Sequence, residues 1–317
     1  MTAPSVSPQF SAETTSEGAF VRQRYTIRDR ITADGTSGFP AEPGRYHLYV
    51  SYACPWAQRA MIVRRLLQLE DVVSMSVVDP IRDDRGWSFR DGPGHTKDPV
   101  EGFSFLSEAY LATDPEYTGR FTVPCIWDRK TRRLVTNNFP DITIDFETQF
   151  GEWADPSVDL YPEALRSEID EIAWLIYTDV NDGVYKAGFA TTQTAYEEAF
   201  DALFARLDWL EDRLTHRRYL MGDRLTEADI RLYPTLARFD AVYVGHFKCN
   251  LRRLVDYPNL WGYARDLYSR PAFRETTNFD HIKRHYYGTH PQLNPSGIVP
   301  KGPLIDWDAP HDRAYLS

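Results

Sequence analysis

The side chain with the clearest capacity for chemistry is Cys54, in the run Cys54-Pro55-Trp56-Ala57 that follows the apolar, β-like stretch from Tyr46 to Tyr52. A cysteine between a strand and a helix whose first turn carries a proline lies among unpaired backbone N–H groups and at the positive end of the helix dipole. Both stabilise a thiolate, which is the nucleophilic form of the side chain. The other two cysteines invite the opposite reading. Cys125 falls inside a strand-like run, and neither it nor Cys249 makes a Cys-x-x-Cys pair with Cys54. They are expected to be buried structural thiols, and the mechanism to use one thiol alone.

The elements that must hold Cys54 are legible from periodicity. Trp56, Ala60, Val63 and Leu67 recur at helical steps along Pro55 to Leu69. The β-branched run Val72 to Val78 reads as a second strand. Residues 80 to 120 are punctuated by Gly86, Gly92, Pro93, Gly94, Pro99 and Gly102. They form a long loop, broken by a short helix near Ser104 to Thr113, and a loop of that length that presents Trp87 and Phe89 is expected to be functional. Phe121 to Trp127 and Arg132 to Thr136 read as a β-hairpin. Pro124 lacks an N–H for a central ladder, so it belongs at a strand start or edge, with a cis peptide as an option. A further helix begins around Asn137-Asn138-Phe139-Pro140, with Pro140 as first residue and Asp141 complementing the dipole.

Past Gly151 the pattern changes to long helical periods over Glu163 to Thr178, Ala195 to Thr215, Thr226 to Val242 and Asn259 to Tyr268, after a linker at 155 to 162. Thr226 with Asp229 three residues on approximates a capping box. From His281 onward glycine and proline dominate, and that segment is expected to lie extended across the surface. Met1 to Ala19 is rich in Ser, Thr and Pro without a cationic or apolar signal region, so it is expected to be a disordered arm. The domains expected are an N-terminal extension at 1–45, a strand-helix domain at 46–150, an all-helical domain at 163–280 and a C-terminal segment at 281–317.

Thirty-six basic against 46 acidic side chains give a net charge of −10 over 317 residues. That balance disfavours nucleic acid and anionic membrane surfaces as partners. No apolar run approaches the roughly 18 residues of a membrane span. Three cysteines make no disulfide framework, and a reducing cytoplasm fits best. The eight histidines are scattered, with no metal-ligand cluster, so no metal is expected.

The Cys54 motif, the Trp87 loop, Tyr117-Thr118-Gly119-Arg120, Val123-Pro124, the run Asn181 to Ala190, Ala228 to Leu232, His246 to Asn250 and His281 to Tyr287 together resemble the glutathionyl-hydroquinone reductases, the Xi-class glutathione transferases. The resemblance runs from about residue 19 to 303. It implies an α+β fold, in which an N-terminal thioredoxin-like domain precedes an all-helical glutathione transferase C-terminal domain, and a protein that commonly forms homodimers. It also implies that Cys54 attacks the sulfur of a thioether-linked hydroquinone, releases the quinol and becomes a mixed disulfide, which a second thiol resolves.

By the same resemblance Tyr185 and one of Tyr286 or Tyr287 fill the quinone pocket, with Tyr185 and Tyr286 as the catalytic pair, a phenol over the ring being a sensible proton donor. Val123 before Pro124 would pair with the cofactor's backbone, while Trp87 and Arg120 would bracket its glycyl carboxylate and thiol end. Asp141 would receive a γ-glutamyl ammonium. One stretch departs from the family. Where members read Asn-Glu-Ser-Ser-Glu, this chain reads Asn137-Asn138-Phe139-Pro140-Asp141, and Pro140 replaces the serine that holds the γ-glutamyl carboxylate. The cofactor is therefore glutathione or, if that departure is meaningful, another small thiol such as the sugar-based mycothiol. Two other readings use the same residues: an omega-like thiol transferase or dehydroascorbate reductase, and a non-catalytic binding protein of the same fold.

Overall fold

The computed structural model describes residues 13–316, which divide into two compact units. One comprises Gln23–Val158, and the other joins residues 13–22 to 159–316.

The first unit is built on a four-stranded sheet among the described residues, ordered β2-β1-β3-β4. Strand β1 (Tyr46–Val50) leads into helix α1 (Pro55–Leu66), and β2 (Ser74–Val77) returns parallel to β1. After the long loop and α2 (Leu106–Thr113), β3 (Cys125–Asp128) runs antiparallel to β1, pairing Cys125 with Tyr49. It turns back as β4 (Arg133–Thr136) and leads into α3 (Phe139–Gln149). All five residues of β1 are buried, as a strand covered on both faces should be. Pro124 stands one residue ahead of β3 with a cis Val123–Pro124 peptide, so its missing N–H costs the ladder nothing. Helix α3 starts one residue earlier than the proline signal indicated: Asn138 is its N-cap and Pro140 its second residue. The second position is tolerated because its N–H would also lack an intrahelical acceptor.

The loop before α2 holds a surprise for the sequence reading. Trp87 and Phe89 are not presented to solvent but sunk into a core with Tyr49, Tyr110, Trp127 and Leu134. The loop is fastened by Asp98, which accepts from the Tyr49 hydroxyl at 3.1 Å, and by Asp79, which accepts from Arg90. Length alone did not reveal these anchors.

The second unit is helical: α4 (Arg166–Ile176), α5 (Gly183–Phe189), α6 (Gln193–Arg213), α7 (Glu227–Arg238), α8 (Val244–His246), α9 (Pro258–Tyr268), α10 (Pro271–Arg274) and α11 (Phe279–Thr289). The expected capping box is present. The Thr226 backbone N–H donates to Asp229 at 2.9 Å, and the same buried carboxylate accepts from Leu220 N–H and the Tyr263 hydroxyl, each at 2.8 Å. Two stretches that read as continuous helix instead widen into π turns, Tyr177–Asn181 after α4 and Phe239–Tyr243 after α7. Such turns re-aim the side chains that follow them.

Both chain ends of this unit are more ordered than their composition implied. Residues 1–12 of the expected disordered arm lie outside the described residues, but 13–19 form a turn closed by a bridge between Thr14 and Phe20. Beyond His281 the chain is helical through Thr289, not extended. Asn278 caps α11 by accepting from His281 N–H at 3.0 Å, and His281, Ile282, His285, Tyr286 and Thr289 make its buried stripe. The tail after it is pinned by Trp307, packed on Trp261, Tyr268 and Phe279, and by the buried Arg313, which donates to the Leu214 carbonyl at 2.9 Å.

Candidate functional site

Cys54 is the N-cap of α1, with φ −81° and ψ 120°, and Pro55 is the first helical residue. Its carbonyl accepts from Gln58 N–H and its own N–H donates to Ser51 O, each at 3.1 Å. The backbone is thus committed, while the side chain makes no cap bond to the helix. The Cys54 thiol instead donates to the Val123 carbonyl at 3.3 Å, the residue whose peptide to Pro124 is cis. No acidic residue sits in the first turn of α1, so nothing there opposes a thiolate at the positive helix end. Cys54 is partly exposed and packs against the core that contains Trp87 and Val123. Four expected site residues, Cys54, Trp87, Val123 and Pro124, therefore converge. The other two cysteines are fully buried, and burial pushes both thiols up.

Arg120 offers its backbone carbonyl to the Tyr117 hydroxyl at 2.9 Å. Asp141, in the first turn of α3, accepts from the Asn138 side-chain amide at 2.5 Å and lies 3.6 Å from Arg30, which bonds more closely to the buried Asp145. At the start of α3 the chain has built an aromatic plug. Phe139 stacks on Trp56 at 4.6 Å, meets Tyr25 edge-on at 5.5 Å, and Arg59 lies over both stacked rings.

In the helical unit the phenols of Tyr185 and Tyr286 are 2.5 Å apart, and Tyr286 is also 3.0 Å from the hydroxyl of Tyr243. Burial pushes the Tyr243 and Tyr286 phenols well above the usual tyrosine range, with the Arg238 charge opposing it. Both therefore remain neutral hydroxyls at physiological pH. Phe247 backs the group, parallel to Tyr243 at 5.4 Å and edge-on to Tyr185 at 5.4 Å. Gly188 admits that ring, since a Cβ there would meet Phe247 at 2.2 Å. Tyr287 is not in this network. A single step around a helix is about 100°, and it turns the Tyr287 ring toward His246 instead, 4.7 Å away.

Residues 193–266 match the family described as Glutathione S-transferase, C-terminal domain. The chain is 50% identical over 303 residues to glutathionyl-hydroquinone reductase YqjG of Escherichia coli (strain K12), covering 93% of this chain and 92% of that protein. Among solved structures, the glutathione-S-transferase Xi of Phanerochaete chrysosporium superposes with a TM-score of 0.92 at 47% identity, covering 96% of this chain and 99% of that one. The glutathione-bound structure of E. coli YqjG gives 0.89 at 50% identity, over 91% and 96%.

The chain belongs to the glutathionyl-hydroquinone reductases of the Xi class. It is thus a thiol oxidoreductase of the glutathione transferase fold.

Two features of this reductase escaped sequence reasoning. Tyr243 joins the phenol network from the end of a π turn, a position that no period marks; its only flag was the neighbouring His246-Phe247-Lys248-Cys249-Asn250 run. Scattered in sequence, His246, His285 and His290 gather in space, with His246 Nε2 3.1 Å from His290 Nδ1 and burial lowering His246 to about 4. Among the described residues no group of three His, Cys, Asp or Glu is arranged to hold a metal ion.

Proposed function

We propose that this reductase cleaves thiol-conjugated hydroquinones to the free hydroquinone through a mixed disulfide on Cys54. The observation that carries the reading is the Cys54 thiol itself, partly exposed at a helix N-terminus beside the Val123–Pro124 peptide. The thiolate attacks the conjugate's sulfur, forming an S–S bond as the sulfur–aryl bond breaks. The electron pair of the broken bond goes to the ring carbon, which takes a proton from Tyr185. Carbon is thereby reduced and sulfur oxidised. A second thiol passes its proton to the Tyr185 phenolate, attacks the mixed disulfide as thiolate, leaves as the symmetrical disulfide and returns Cys54 as thiolate. In this reading Tyr286, the one of the adjacent tyrosines that reaches Tyr185, contacts the quinol ring, Val123 pairs with the thiol's backbone, and Trp87, Arg120, Pro124 and Asp141 line the thiol site.

Glutathione is the thiol favoured by the likeness to a protein whose glutathione-bound structure is solved. A second reading, mycothiol, has its own observation. At the start of α3 the chain places an aromatic plug and a proline without N–H, and the nearest carboxylate, Asp141, already accepts from Asn138. Those groups are poorly suited to hold a γ-glutamyl carboxylate. The protein works in a reducing cytoplasm, in keeping with three free cysteines, and as a homodimer, as the family resemblance implies.

The test offers glutathionyl- and mycothionyl-linked hydroquinones, each with its matching thiol, and follows hydroquinone and disulfide by chromatography. Stoichiometric formation of both products with at least one thiol is expected. A preference of ten- to a hundredfold for mycothiol, about the 1–3 kcal/mol cost of an unsatisfied polar group, would select the second reading. Turnover of dehydroascorbate with none of either conjugate would overturn both.

A further inference from the structure

The segment 13–22 is tied to the helical unit at the end of α5 that carries Tyr185. The Gly18 carbonyl accepts from Thr191 N–H at 2.9 Å, and the Thr192 hydroxyl, which caps α6, donates to Glu17 O at 2.8 Å. Gly18 has φ +86°, and a Cβ there would meet Thr192 at 2.6 Å, so only glycine fits the turn at this distance. Phe20 then packs on Phe189, the last residue of α5, at 5.5 Å. The segment ends on Arg22. Its Nε donates to Asp182 at 2.7 Å in a pair whose side chains are 11% and 8% exposed, and its guanidinium carbon lies 4.8 Å from the centre of the Tyr185 ring. Asp182 immediately precedes α5, and its carbonyl accepts from Tyr185 N–H at 3.0 Å. One arginine therefore grips both the residue that starts the helix and the ring that the helix presents.

We infer that Arg22 is a positioning residue for Tyr185. A cation over the face of a phenol is attracted to the ring and more strongly to the charge that develops there as the proton leaves. The planar guanidinium can lie on the ring while its edge bonds a carboxylate, a double role that the point charge of a lysine does not reproduce. Arg22 thus holds the phenol toward Tyr286 and eases its loss of a proton. The other charged and titratable groups around the phenols are Asp182, the fully buried Arg238, Tyr243, Tyr286, His285 and His290, whose rings lie 5.5 and 5.7 Å from that of Tyr286, and Lys186, whose amine donates to Thr178 O at 2.9 Å. None of these is drawn onto the Tyr185 ring face as Arg22 is. The inference rests on Tyr185 as the proton donor in the proposed reaction.

The experiment compares wild type with Arg22→Met, Arg22→Lys and Tyr185→Phe, and adds Arg22→Met in the Tyr185→Phe background. Arg22→Met is expected to lower kcat about three- to thirtyfold with little change in KM, the range of a desolvated cation–π contact. The alkaline limb of the kcat profile should move up in pH, and tyrosinate absorbance on alkaline titration should show one phenol ionising later than in wild type. Arg22→Lys should recover less than half of the loss, and Arg22→Met should add nothing once Tyr185 is phenylalanine. Unchanged tyrosinate titration in Arg22→Met, or full recovery with lysine, would overturn the inference. If Tyr185→Phe keeps wild-type turnover, the donor assignment fails instead, while the titration still decides whether Arg22 acts on that phenol.

Discussion

Cys54 in the first unit and the phenol cluster of the second are assembled in contrasting ways. Cys54 takes its setting almost wholly from backbone: a strand end, a helix start, a proline and one carbonyl brought across by the Val123–Pro124 peptide. The phenols take theirs from side chains spread far along the chain, Tyr185 and Tyr286 being 101 residues apart with Tyr243 between them, 43 residues before Tyr286. A backbone-built site tolerates change in its neighbours and fails when its one reactive atom is lost. A side-chain-built site fails by degrees, because each phenol is held by the others.

The sharpest form of that comparison is loss of the thiol. Cys54→Ser should bring conjugate cleavage to background with the thermal unfolding curve unchanged, because the cysteine side chain makes no cap bond for serine to disturb and serine is a poor nucleophile for sulfur. In the folded wild type a small alkylating reagent should label Cys54 and leave Cys125 and Cys249 unmodified, since both are fully buried and held in the thiol form. Labelling of all three at equal rates by mass spectrometry would remove the special standing of Cys54.

Tyr185→Phe tests the other side. If the phenol is the sole proton donor, kcat should fall by roughly 10²–10⁴. The mixed disulfide on Cys54 should still form slowly, and intact-mass measurement would detect it. A change confined to KM would make Tyr185 a packing residue of the pocket and leave the proton to another group.

The same contrast explains what the sequence revealed of fold and site. Strand β1, helix α1, the hairpin and α9 announce themselves because apolar residues recur at the spacing of their element, and the Cys54 site is legible because it is local. Helix α5 hides because it is only seven residues long and carries glycine at both Gly183 and Gly188, which favour no helix. Helix α11 hides because its buried stripe is made of His281, His285, Tyr286 and Thr289 with a single aliphatic residue, Ile282. Those polar-tipped side chains become interior only when partners across the unit satisfy them. Trp87 stands out in the sequence because its loop is long, and the structure gives that loop a structural reason in the core it seals.

The smallest expected effect concerns the residue that sequence missed. Tyr243 touches the network through its 3.0 Å contact with Tyr286, whose hydroxyl also keeps Tyr185 as a partner. Tyr243→Phe therefore removes one of two bonds from a buried phenol without orphaning it, and the cost should be about 0.5–1.5 kcal/mol. In rate that is roughly two- to tenfold on kcat, provided the lost bond helps orient Tyr286 toward Tyr185. Tyr286→Phe removes the shared member and should cost more, and the double variant should cost no more than Tyr286→Phe alone, because Tyr243 then has nothing left to orient. Additive losses in that cycle would mean that Tyr243 acts on the substrate directly. A loss as large as that of Tyr185→Phe would transfer the proton donor to the far end of the chain of phenols.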